Sequence, residues 1–241
     1  MNKRDWVESK VAQRLIAYER DKLNQLLPNL HGHYLLQYSA WNLKLIQQTT
    51  LKHNFFVGAE GQNVSAKVDY HDLPFRDNTI DCALLHHVLE YSNHPHQALR
   101  EAARAIVPNG YLVLLGFNPI SNWMISRHLP KGYMPSSGRF ISSSRVSDWL
   151  ELLGFRVEQV RSFQIMPPFM VHLLPKLSNR IERFLNWIGL PGGAIYFVVA
   201  RKLVAGRTPI RPQWRVLSGR RFPVATPSAR GMRVSSRKDV Y

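Results

Sequence analysis

The sequence predicts an α/β domain built on a mostly parallel sheet with helices on both faces. Three observations lead there. Short apolar runs recur at 34–38, 54–58, 66–70, 79–86, 111–117, 155–163 and 194–201, which makes seven candidate strands. Their apolar residues are nearly continuous, as in strands buried on both faces, and do not alternate with polar ones. Helical patterns separate many of the runs, and strand–helix alternation is the mark of a parallel sheet.

The helices follow from spacing. From Asp5 to Leu27, Val7, Val11, Leu15, Tyr18 and Leu26 recur at three- to four-residue intervals among charged residues, which predicts an amphipathic helix. In "HPHQALREAARAIVPNG", Pro95 suits a first helical turn and Leu99, Ala102, Ala103 and Ile106 share one face. Pro108-Asn109-Gly110 should stop that helix. In "SSRVSDWLELLGF", Gly154 supplies the stop. A last helix is expected near 178–188. Beyond Leu203, prolines, arginines and serines replace apolar residues. Such a segment buries too little surface to offset its ordering entropy, so a disordered or loosely attached tail is expected. The expected organisation is an N-terminal helical segment at 1–30, the α/β domain at 31–203 and a basic tail at 204–241.

A chain of 241 residues, 45% of them apolar, can bury one substantial core. The net charge is +16. Of 32 Lys and Arg, eleven lie in residues 201–241 beside one acid, Asp239, so residues 201–241 carry +10 and residues 1–200 carry +6. Cys82 is the one cysteine and lies in an apolar run. No internal disulfide is possible, which suits a reducing compartment, and Cys82 reads as a small buried hydrophobe. The N-terminus is too charged for a signal peptide. The stretch "IGLPGGAIYFVVA" is broken by Pro191-Gly192-Gly193 and falls short of the roughly 20 residues that span a bilayer. A cytoplasmic protein is expected.

Chemistry concentrates between Val68 and Pro119. Asp69, Leu73-Pro74-Phe75, Ile80-Asp81, Leu89-Glu90-Tyr91, His94-Pro95, Glu101 with Arg104 and Pro108-Asn109-Gly110 follow in order. This ordered set resembles the core of the class I S-adenosylmethionine-dependent methyltransferases, in the branch of the ubiquinone and menaquinone biosynthesis enzymes. The resemblance implies a Rossmann-like seven-stranded sheet and S-adenosylmethionine as cofactor. It implies methyl transfer to a small or lipid-like molecule.

In open parallel sheets a ligand lies beyond the carboxyl ends of the strands, where the strand order reverses. That rule and the resemblance give the candidate cofactor residues Gln37, Tyr38, Ser39, Ala40, Glu60, Asp69, Tyr70 and His86. The resemblance assigns Glu60 to the ribose hydroxyls, while the residues alone equally allow a solvated turn acid. Asp69 matches the family acid beside the adenine. Asp81 reads as ordering a strand start. His86 and Asn118 are the catalytic candidates: His86 as an acceptor or cofactor contact, Asn118 as a residue orienting the acceptor or as a turn before Pro119. Strand alternation should turn His87 the opposite way from His86.

One stretch departs from the family. Where an acid and three spaced glycines are expected after the first strand, this chain has Gln37, Ser39 and Trp41. Glycine there allows close backbone approach and positive φ. Trp41 should point away or shrink the pocket. The rival expectation is therefore a catalytically silent domain whose basic tail contacts nucleic acid or an acidic membrane. His71, His86, His87, His94 and His96 match no ligand spacing, so no metal is expected.

Overall fold

In the computed structural model the described residues are 6–27, 30–46, 51–58, 66–69, 71–121, 123–124, 138–163, 165, 177, 180–181, 183–184, 187 and 193–204. The chain divides into two compact units, Met1–Ala205 and Gly206–Tyr241, and all described residues fall in the first. The tail expected at 204–241 lies, apart from Val204, outside the described residues.

Helix α1 spans Lys10–Leu26, capped by Ser9, whose hydroxyl accepts from the Ala12 N–H. The strands are β1 (Tyr34–Ser39), β2 (His53–Gly58), β3 (Ala66–Lys67), β4 (Ile80–His86), β5 (Ile106–Phe117), β6 (Phe155–Phe163) and β7 (Ile195–Lys202). Between them lie α2 (Val88–Tyr91), α3 (Pro95–Ala105) and α4 (Ser143–Leu152). Of the helix expected near 178–188, residues 180, 181, 183, 184 and 187 are described and helical.

The seven strands form one sheet in the order β3-β2-β1-β4-β5-β7-β6. Pairs from β3 to β5 are parallel, and β7 runs antiparallel to both β5 and β6. The α/β expectation, mostly parallel, holds. The order reverses between β1 and β4, and the register there pairs Ser39 with His86. Neighbouring residues serve opposite faces: Leu35, Cys82 and Leu84 pack on the side of α1, Leu36, Ala83 and Leu85 on the other core. Burial and the neighbouring Asp81 push the Cys82 thiol up to about 12, so it is an inert core group.

Four details differ from the sequence expectation. The helix expected from Asp5 holds as α1 only from Lys10, after a turn and a bend at Glu8 and Ser9. Its buried stripe is Ala12, Leu15, Ile16, Glu19 and Leu23, while Val7, Val11, Tyr18 and Leu26 flank it half-buried. The strand expected over 66–70 is the two-residue β3. Finally, α3 already ends at Ala105, with Ile106 starting β5, and Pro108-Asn109-Gly110 sits within that strand. Ile80 pairs with Ile106 and Cys82 with Tyr111, so the extra residues bulge, with Asn109 at φ +65°.

Two motif pieces prove structural. Asp81 accepts from the N–H groups of His33 (3.0 Å) and Tyr34 (2.9 Å), tying the start of β1 to β4. Arg104 pairs with Glu101 and Asp77 and donates to the carbonyls of Leu73 (3.1 Å) and Phe75 (2.9 Å). The Leu-Pro-Phe loop is therefore held by the helix that follows it. No helix among the described residues is long and apolar enough to cross a membrane.

Candidate functional site

The carboxyl ends of β1, β4 and β5 meet a buried polar network. His86 ends β4, and His87 follows it in the left-handed conformation, φ 54°. That positive φ breaks strand alternation. His87 does not turn to the opposite side as expected; its ring swings to the same carboxylate that His86 meets. This carboxylate belongs to Glu19 of α1, 3.0 Å from His86 Nε2 and 2.9 Å from His87 Nε2. His87 Nδ1 lies 2.8 Å from Glu90 Oε2, and the Phe117 N–H donates to Glu90 Oε1. His86 Nδ1 lies 2.8 Å from Ser39 Oγ, which also accepts from the Trp41 N–H.

One proton assignment satisfies every bond. His87 carries protons on both nitrogens and donates to Glu19 and Glu90. His86 donates from Nε2 and accepts the Ser39 hydroxyl proton at Nδ1. The electrostatics agree. Burial pushes the His87 pKa down, but Glu90 and Glu19 outweigh it and raise it to about 10. Burial pushes His86 down to about 4 against the pull of Glu19. Burial also opposes ionisation of Glu19, yet His87 and His86 hold it down at about 2. Two carboxylates and one imidazolium leave one negative charge at the strand ends.

Glu19, His86 and His87 also have the donor types of a metal site, with ligand atoms within 4.8 Å of one another. In the structure those atoms hydrogen-bond to one another, all three side chains are fully buried, and the bonds close without an ion.

The glycine-less loop folds around Trp41, which is buried, stacks on His87 at 4.3 Å and meets Trp6 edge-on at 4.7 Å. It points into the core beneath α1. Gln37 replaces the family acid and clamps the loop: its Oε1 accepts from Ile46 N–H and its Nε2 donates to Ile46 O and Asn54 Oδ1. Tyr38 donates to Val68 O at 2.8 Å, and Ala40 N–H bonds His86 O at 3.0 Å.

Of the sequence candidates, Gln37, Tyr38, Ser39, Ala40 and His86 come together, all buried. Both ring nitrogens of His86 are engaged within the protein. Asp69 is exposed and accepts from His71, whose ring lies at 3.0 Å. Asn118 Oδ1 accepts from the Ile120 N–H, forming the turn before the loop that follows β5. Glu60 and Tyr70 lie outside the described residues. Glu19 was missed because acids in an amphipathic helix read as solvated. The available signal was its place at i+4 from Leu15 and i−4 from Leu23, inside the apolar stripe.

The loop fits a polar ligand in one respect. Trp41 Nε1 and Asn42 Oδ1 are buried without a hydrogen-bond partner, and Asn42 adopts φ 54°. An unmatched buried polar group costs about 1–3 kcal/mol, which a bound ligand recovers.

Comparison with known proteins gives the same reading. Residues 34–114 match the family described as "Methyltransferase domain". The chain is 34% identical over 154 residues to an uncharacterized protein, YafS, of Escherichia coli (strain K12), covering 63% of this chain and 64% of that protein. It is 30% identical over 93 residues to the ubiquinone/menaquinone biosynthesis C-methyltransferase UbiE of Pseudomonas putida (strain GB-1), covering 37% and 36%. The chain thus spans less than two thirds of the length of the curated relatives it matches. In fold it is similar to a SAM dependent methyltransferase from Archaeoglobus fulgidus, with TM-score 0.56, 17% identity and coverage of 78% and 94%. Residues 34–114 thus match the methyltransferase domain, and the sheet they form is similar in fold to that of a SAM dependent methyltransferase.

Proposed function

We propose that this protein binds S-adenosylmethionine at the β1–β4 switch point and transfers its methyl group to a small or lipid-like acceptor. The observation that carries this reading is the meeting of the family match with the site: Ser39, His86, His87 and Glu90 of the matched residues come together where the strand order reverses between β1 and β4.

The cofactor supplies an activated methyl group on a sulfonium. The chain's own residues bind and position. Asp69 offers an exposed carboxylate, oriented through its Oδ1 by His71. Asn42 Oδ1 offers an acceptor. The Ser39–His86–Glu19–His87–Glu90 network supports the floor. Its residual negative charge favours a cationic ligand over a neutral one. Alignment of donor and acceptor is the main demand of such a transfer, and a rigid floor serves it. The likeness to UbiE, whose name places it in quinone biosynthesis, supports a lipid-like acceptor.

Calorimetric titration of S-adenosylmethionine and S-adenosylhomocysteine into the full chain tests the reading. Saturable binding of both is expected, tighter for the sulfonium. No heat and no thermal shift at millimolar ligand would overturn it.

A further inference from the structure

A concavity of about 860 Å³ lies between the start of α3, the segment at 139–141 and the face of α4 that carries Arg145 and Trp149. Three guanidinium groups line it, from Arg100, Arg139 and Arg145. None of the three makes an ion pair among the described residues. The one carboxylate among its described lining residues, Glu101, is already taken by Arg104. The wall therefore presents three uncompensated positive charges around a recess, a field that concentrates anions.

The remaining wall is aromatic. The Trp149 and His96 rings lie 3.7 Å apart, and Phe140 forms part of the lining. Two chains of contact lead from here to the methyltransferase site. Phe140 lies 5.3 Å from Phe117, which lies 4.4 Å from His87. On the other side, His94 lies 5.4 Å from His71, the partner of Asp69. The recess adjoins both the buried network and the proposed cofactor crevice.

Arginines match oxyanions with paired, charge-assisted hydrogen bonds, and an indole face accepts a flat or apolar body. We propose that this recess binds an oxyanion group, phosphate or carboxylate, carried by the methyl acceptor. The word acceptor rests on the methyltransferase reading above; the oxyanion site rests on the three arginines alone.

The test titrates the full chain by calorimetry with phenyl phosphate, benzoate and benzyl alcohol. Both anions should bind saturably and the alcohol should not. Arg139→Gln and Arg145→Gln should each weaken anion binding about tenfold or more. Arg145→Lys should retain more affinity than Arg145→Gln. Equal binding of the alcohol would overturn the proposal. So would unchanged anion affinity in an Arg139→Gln/Arg145→Gln variant that keeps its melting temperature, because the anions would then sit on the basic residues near the C-terminus. S-adenosylmethionine is titrated into the same samples. If it fails to bind while arginine-dependent anion binding persists, the acceptor assignment falls and the oxyanion site stands.

Discussion

The carboxylate of Glu19 lies 3.0 Å from Nε2 of His86, 67 residues further along the chain, and both side chains are fully buried. This contact makes α1 part of the site and not an appendage to it. Breaking a buried charge network by removing one member leaves its partners uncompensated. Glu19→Ala should therefore cost about 3–5 kcal/mol of stability. Glu19→Gln should cost less, since it keeps part of the hydrogen bonding. Urea denaturation measures both, and an unchanged midpoint in Glu19→Ala would refute the network's role.

The same network sets a pH dependence. His87 has its pKa raised from 6.5 to about 10, so its stabilisation is full below pH 6.5 and is lost as pH climbs through 10. His86 is lowered from 6.5 to about 4, so its contribution is lost as pH falls from 6.5 toward 4. Glu19, lowered from 4.5 to about 2, loses its contribution as pH falls from 4.5 to 2. Thermal stability should peak near pH 6.5 and decline on both sides. In His87→Gln the alkaline decline should flatten while the acid one remains. Equal alkaline slopes in the two proteins would count against a buried imidazolium.

Trp41 packs between Trp6 and the His87 ring. Trp41→Ala should cost about 3–5 kcal/mol, as other large-to-small core substitutions do. A variant of unchanged stability would place Trp41 outside the core, contrary to its burial.

Asp69 is exposed and its backbone is held by the bridge to Asp72. Asp69→Ala should leave the melting temperature unchanged and weaken S-adenosylmethionine binding about tenfold to a hundredfold, the loss of charge-assisted hydrogen bonds. Calorimetry on the variant decides it; full affinity would remove Asp69 from the site.

Most strands were legible because their apolar runs are nearly continuous and flanked by turn residues, whereas the run at 66–70 yields only the two-residue β3. Asp81 and Gly154, which closes α4 at φ +82°, were legible from local chemistry. The direction of His87 was not, because a single positive φ overrides alternation and no residue type announces it. The bulge at Asn109 escaped for the same reason: a helix stop and a strand irregularity use the same residues. Glu19 was hidden because its partners lie far along the chain, and pattern within one helix records only that an acid interrupts an apolar face. Arg139 and Arg145 draw meaning only from the recess they border.

Strand β7, last in sequence among the described elements, lies between β5 and β6. Among the described residues β6 pairs with β7 and with no other strand. During synthesis, β6 must therefore wait for its neighbour. Until residue 202 has cleared the ribosome, the nascent chain carries one unpartnered strand and an open edge on β5. Both are templates for pairing with another chain. The last residues of the domain thus govern how long the newborn protein is exposed to aggregation.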